Sequence, residues 1–124
     1  MRAHGVVWIG TRTDRFDETV AFFRDVVGVP FVSDRADFAF GQMPDSSVME
    51  VFGPTDHDHS DFTTGPVPEF LVDDLRAGVA ELQGAGVEIL GEPVVDGAEG
   101  WVHFRAPDGN VYGLVAGGIY RRRS

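Results

Sequence analysis

Glu50 is the ionisable residue whose neighbours say most about chemistry. In Val48-Met49-Glu50-Val51-Phe52, strand alternation puts Val48, Glu50 and Phe52 on one face and Met49 and Val51 on the other. A carboxylate set between two apolar side chains is costly to bury unless it is paired or hydrogen-bonded. Desolvation would also raise its pKa, which suits a general acid or base, so a ligand-contacting or proton-transferring role is expected. Glu69 and His103 could be its polar partners, or could simply satisfy one another. Trp8, Phe52 and Trp101 could stack on a planar or apolar ligand, or fill the interior of a small barrel. Phe38 and Phe40 share a face whose direction the sequence leaves open. His4 is either a cavity imidazole or a solvated or packed residue near the chain start. Asp56-His57-Asp58-His59 carries metal-ligating side chains, yet nothing in it fixes a geometry, and it reads as a solvated linker.

These residues need elements to hold them. His4-Gly5-Val6-Val7-Trp8-Ile9-Gly10 alternates as a strand with His4, Val6 and Trp8 on one face. Phe16, Val20, Phe23 and Val27 then form the apolar stripe of a helix, with Asp17 and Glu18 in its first turn and Gly28 placed to end it. Three strands are expected at 29–33, 37–41 and 47–52, followed by a polar connection rich in glycine and proline. The second half repeats the order. A strand at 67–72 precedes a helix capped by Asp73 or Asp74 with the stripe Leu75, Val79 and Leu82, and strands follow at 87–90, 101–105 and 111–115. Pro107-Asp108-Gly109-Asn110 makes the last two a hairpin. By parity, Glu69 shares the face of Val67 and His103 that of Trp101.

Phe16, Val20 and Phe23 align with Leu75, Val79 and Leu82 at a constant offset of 59 residues, whereas Met49–Phe52 aligns with Tyr112–Val115 at 63, an offset also assigned to the first strands. Such an internal duplication constrains the whole topology. The expected fold class is α+β: two paired βαβββ modules, at about 4–53 and 67–116 with a linker at about 54–66, forming a curled mixed sheet around a central cavity. Residues 1–120 make one domain and 121–124 a short basic tail.

A chain of 124 residues can bury an adequate core as a single domain. Having no cysteine, it has no disulfide, thiol nucleophile or thiolate metal site, which suits a reducing cytoplasm. Met1-Arg2-Ala3-His4 leads straight into a strand pattern, so no signal segment is expected. The net charge of −10 repels phosphate backbones and anionic membranes, which argues against nucleic-acid or membrane partners.

In the order Phe22-Phe23 with Val27-Gly28, Val48-Met49-Glu50-Val51-Phe52, Phe70-Leu71-Val72-Asp73-Asp74-Leu75 and Phe104-Arg105-Ala106-Pro107-Asp108-Gly109-Asn110-Val111-Tyr112, the sequence resembles the vicinal oxygen chelate superfamily over residues 4 to 116. That superfamily includes glyoxalases, extradiol dioxygenases and bleomycin- or fosfomycin-resistance proteins. The resemblance implies a ligand cavity inside the curled sheet, a homodimer, and in metal-binding members four ligand positions, which fall here on His4, Glu50, Val67 and Gly113. His4 and Glu50 could begin a site for zinc, iron, manganese or nickel. Valine and glycine offer no lone pair, and two ligands are fewer than a protein-held catalytic ion usually keeps. A rearranged set of His4, Glu50, Glu69 and His103 would need ligands displaced to other positions.

The leading expectation is a small-molecule-binding protein of this superfamily lacking the full metal site, with Glu50 and His103 as candidate catalytic groups and Trp8, Phe52, Glu69 and Trp101 as ligand contacts. The alternatives are a divalent-metal-dependent lyase, isomerase or dioxygenase, and a non-catalytic partner-binding domain.

Overall fold

The computed structural model describes residues 1–120, with residues 33 and 34 described in backbone only; the basic tail expected at 121–124 lies outside the described residues. Eight strands and two helices follow in the order β1 (Val6–Arg12), α1 (Phe16–Phe22), β2 (Phe31–Arg35), β3 (Phe38–Gln42), β4 (Val48–Phe52), β5 (Val67–Leu71), α2 (Leu75–Gly84), β6 (Glu88–Asp96), β7 (Glu99–Arg105) and β8 (Val111–Ala116). The strands form one mixed sheet in the order β2-β3-β4-β1-β5-β8-β7-β6, curled but not closed, as the α+β expectation requires. The two modules meet where β1 pairs antiparallel with β5.

Each helix covers its own module's outer face. Phe16 and Val20 of α1 pack with Ala39, Met49 and Val51, while Leu75 and Leu82 of α2 pack with Val102, Leu114 and Ala116. Asp74 caps α2, its carboxylate accepting the Ala77 N–H at 3.1 Å. The chain continues from α1 into a π-helical turn at Phe23–Val27, closed by Gly28 at φ 89°. In this wide turn Val27 is solvent-exposed, so the apolar stripe expected to include it ends at Phe23.

The concave face carries a third cluster, including Trp8, Val48, Phe52, Val67, Val111 and Val115, with Phe38 and Phe40 against it. Strand β4 alternates as a regular strand must, with Val48 and Phe52 in the concave cluster and Met49 and Val51 under α1.

The first strand departs from simple alternation. Val6 pairs with Phe70 and Trp8 with Glu69, so Val7 forms a bulge and both Val7 and Trp8 are buried. His4, expected on the face of Trp8, precedes the bulge. Its Nε2 instead lies 3.0 Å from the exposed Asp73 carboxylate.

The register also corrects the repeat offset of the first strands. Trp8 pairs with Glu69 and Gly10 with Val67, two pairs that interchange under an offset of 59 residues. The parallel pairs Gly10 with Glu50 and Glu69 with Gly113 agree, combining 59 in the first strands with 63 in the last. Val67 therefore corresponds to Trp8, and Glu69 to Gly10. The assignment of His4 as the counterpart of Val67 is not what the register shows.

Candidate functional site

The curled sheet encloses a cavity of about 620 Å³ lined by Trp8, Phe38, Phe40, Phe52, Trp101 and Tyr120, with Glu50, Glu69, His59 and His103 among its polar side chains. Phe38 and Phe40 thus face inward, which alternation alone could not decide. His4 is absent from the lining.

Glu50 projects from the middle of β4, where its Oε1 accepts the indole N–H of Trp8 at 3.0 Å. Burial raises its pKa above the ordinary carboxylate value, while the Trp8 hydrogen bond works in the opposite direction. Glu69, on β5, is more deeply enclosed at 3% exposure. Burial pushes its carboxyl up to about 7; His103 opposes that shift, and the nearby Glu50 and Asp61 charges add to it. At that value the group exchanges a proton near neutrality, which is the property a general acid or base requires.

His103 stands between two carboxyl groups. Its Nε2 is 3.1 Å from Glu69 Oε2 and its Nδ1 is 3.4 Å from Asp61 Oδ2. The Nε2 contact is within ion-pair reach but lacks hydrogen-bond alignment, so this nitrogen has no hydrogen-bond partner, nor does Asp61 Oδ1. The ring is 5% exposed, and such an orphaned polar atom is uncommon in a buried side chain.

The connection at 54–66, expected to be a solvated linker, folds over the cavity. Arg12 donates to the Pro54 and Asp56 carbonyls at 3.1 Å. His59 Nδ1 lies 3.1 Å from Asp56 Oδ2, and the imidazole stacks on Phe52 with ring centroids 3.7 Å apart. Burial lowers the His59 pKa against the pull of Asp56, which favours the neutral form of the ring. Phe62 inserts edge-on among Trp8, Phe52, His59 and His103. Tyr120 arrives from the other end of the chain, on a 3₁₀ turn tied down by Gln42 Nε2 donating to the Ile119 carbonyl at 3.2 Å. Its hydroxyl pKa is raised by burial and by the charges of Glu69 and Glu50, which places all three groups in one electrostatic neighbourhood.

The structure thus brings together Trp8, Glu50, Phe52, Glu69, Trp101 and His103, and leaves out His4. Sequence reasoning missed Tyr120, Phe62 and Asp61 entirely; for His59 the Asp-x-x-His spacing was visible but its enclosure was not. A divalent metal, which the resemblance implies, does not fit the donor set. Among the described residues no three histidine or carboxylate side chains converge as a metal site. Of the corresponding strand positions Trp8, Glu50, Val67 and Gly113, only Glu50 is a ligand type.

Known proteins share this architecture. A methylmalonyl-CoA epimerase from Mycobacterium tuberculosis superposes with a TM-score of 0.66 at 20% identity, covering 94% of this chain and 89% of the other. A Mn(II)-bound glyoxalase from Novosphingobium aromaticivorans gives 0.69 at 20% identity, covering 93% of this chain and 39% of the other. A variant methylmalonyl-CoA epimerase from Streptomyces coelicolor, in complex with 2-nitronate-propionyl-CoA, gives 0.64 at 18% identity, covering 94% and 96%. No curated protein matches the chain. The sequence model of the Glyoxalase/Bleomycin resistance protein/Dioxygenase superfamily matches residues 5–113, nearly the whole duplicated βαβββ unit, and the chain belongs to that superfamily.

Proposed function

We propose that this chain binds a small organic molecule in the concavity of its sheet and does so without a metal ion held by the superfamily's four strand positions. The observation that carries this reading is the cavity of about 620 Å³, in the size range of ligand pockets, walled by aromatic rings with Glu50, Glu69 and His103 as convergent polar groups. The epimerase complex with an acyl-CoA analogue supports it, since a related fold holds a small molecule in that protein. Trp8, Phe52 and Trp101 contact the apolar body of the ligand, and Glu50 and Glu69 exchange protons or hydrogen bonds with its polar part. Sequestration needs only the first set; catalysis of a proton transfer needs both.

The test is elemental analysis and native mass spectrometry of untagged protein, with a thermal-shift screen of aromatic and apolar compounds before and after chelation. Ligand-induced stabilisation that survives chelation is expected, because any ligand selective for the native state raises apparent stability. A stoichiometric divalent ion that is lost in Glu50→Gln would overturn the metal-independent reading and favour the lyase, isomerase or dioxygenase alternative. A homodimer is part of the proposal: the sheet ends in the unpaired edges of β2 and β6, and Phe22, Val26 and Val27 expose an apolar patch beside α1. Light scattering at micromolar concentration reads the mass directly, and a monomer would remove that part. Among the described residues no helix is long and apolar enough to cross a membrane.

A further inference from the structure

The charges of the cavity and one orphaned nitrogen on its lining specify its ligand more narrowly than its volume does. We infer that the cavity takes a protonated primary amine carried on a flat apolar body, an aralkylammonium ion, whose head sits among Glu50, Glu69 and His103. This inference rests on the small-molecule reading above and deepens it.

Among the described residues, the lining holds the carboxyl groups of Asp37, Glu50, Asp56, Asp58 and Glu69 against one guanidinium, that of Arg35. Arg35 is itself stacked, its Cζ 4.7 Å from the centroid of Phe38, so a ring of this wall already presents its face to a cation. Trp8 and Phe38 lie on either side of Phe52 at centroid separations of 6.2 and 6.0 Å, a row of aromatic rings along the lining whose middle member is capped by the stacked His59.

Charge alone would not identify a ligand; the orphaned nitrogen points to one. His103 Nδ1 faces the Asp61 carboxylate, so the proton of a neutral ring belongs on Nδ1 and Nε2 is left as a lone pair, buried and without a hydrogen-bond partner beside Glu69. Glu50 accepts one hydrogen bond, from Trp8, and a carboxylate has room for several. Three acceptors from three strands, β4, β5 and β7, match the three N–H donors of a primary ammonium. The same cation would offset the repulsion between two buried carboxylates, whereas an anionic ligand would add to it.

Calorimetric titration of the full-length, chelator-treated protein at low salt and pH 8 separates the classes with three isosteric probes: 2-phenylethylammonium, 2-phenylethanol and 3-phenylpropionate. The expected result is binding at least tenfold tighter for the ammonium than for the alcohol, and none measurable for the carboxylate. Glu50→Gln and Glu69→Gln, each verified as folded by circular dichroism, should lose most of the preference for the ammonium over the alcohol. Affinity for the ammonium should also rise with pH through about 7, as Glu69 ionises. Alcohol or carboxylate binding as tightly as the ammonium overturns the ligand class and leaves the small-molecule reading standing. Failure of all three, together with failure of the wider compound screen, overturns both. Displacement of the ammonium by one equivalent of Zn²⁺ or Mn²⁺ would also overturn the class, by assigning the acceptors to a metal.

Discussion

The carboxyl group of Glu69 occupies the space that Gly113 leaves by having no side chain. A Cβ at Gly113 would stand 2.6 Å from both Glu69 Cγ and Glu69 Oε2, and the two residues pair directly across β5 and β8. Gly113→Ala must therefore displace a buried carboxyl, at a cost of about 1–3 kcal/mol typical of overpacking. In a Glu69→Ala background the three nearest atoms, all of the Glu69 side chain, are gone. A double-mutant cycle by thermal denaturation should show a coupling of that size. Simple additivity would mean that the two residues do not compete for the space.

The Glu69 carboxyl makes stability fall as pH rises. Its folded value is about 7 against an ordinary value of 4.5, so between these limits the native state binds more protons than the unfolded state. The contribution is complete below about pH 4.5 and is lost as pH climbs through about 7, on the order of 3 kcal/mol in all. Glu50, shifted in the same direction, adds to the slope. Glu69→Gln should flatten the profile and stabilise the protein at pH 8 relative to the parent. Urea denaturation at a series of pH values checks this; an unchanged slope in the variant would remove Glu69 as its source.

What was legible in the sequence follows the regularity of each strand. Glu50 lies on an unbroken strand, and alternation alone predicted its face. His4 lies beyond a bulge, where the extra residue at Val7 cancels the parity that linked it to Trp8. The helices announce a repeat offset of 59 and the last strands 63, and the parallel pairs Gly10 with Glu50 and Glu69 with Gly113 show which applies to the first strands. His59, Phe62 and Tyr120 were hidden for another reason: their enclosure depends on contacts with Phe52, Trp8 and the Glu50–Glu69 neighbourhood, all remote in sequence. No local period encodes such contacts.

Trp8 and Glu50 should be coupled through one hydrogen bond. The indole N–H at 3.0 Å favours the ionised carboxylate, and Trp8→Phe removes that donor while keeping an aromatic ring at the site. The Glu50 pKa should rise further above its ordinary value, as followed by carbon NMR of glutamate carboxyls. The cost in stability should be about 1–2 kcal/mol at pH 8 and smaller at pH 5, where more of the carboxyl is protonated. Equal losses at both pH values would point to ring packing instead of the hydrogen bond.

Phe62 should hold the cover of the cavity in place. Its buried ring lies 5.9 Å from Trp8, 6.1 Å from Phe52 and 4.8 Å from His103 by centroid, and no other phenylalanine of the 54–66 segment could replace it. Truncation in Phe62→Ala removes these contacts and leaves a void, for which about 3 kcal/mol is typical, although a loop can relax into the space more readily than a strand. The distribution of the effect is more informative than its size. Arg12 would still grip the Pro54 and Asp56 carbonyls, so loosening should begin beyond Asp56 and reach the Val111 N–H, which donates to Thr64 Oγ1 at 3.1 Å. Hydrogen exchange should therefore quicken across 57–65 and at Val111 while β4 and β1 keep their protection. Faster exchange throughout the sheet would instead make Phe62 a part of the global core, and the segment an integral wall of the cavity instead of its cover.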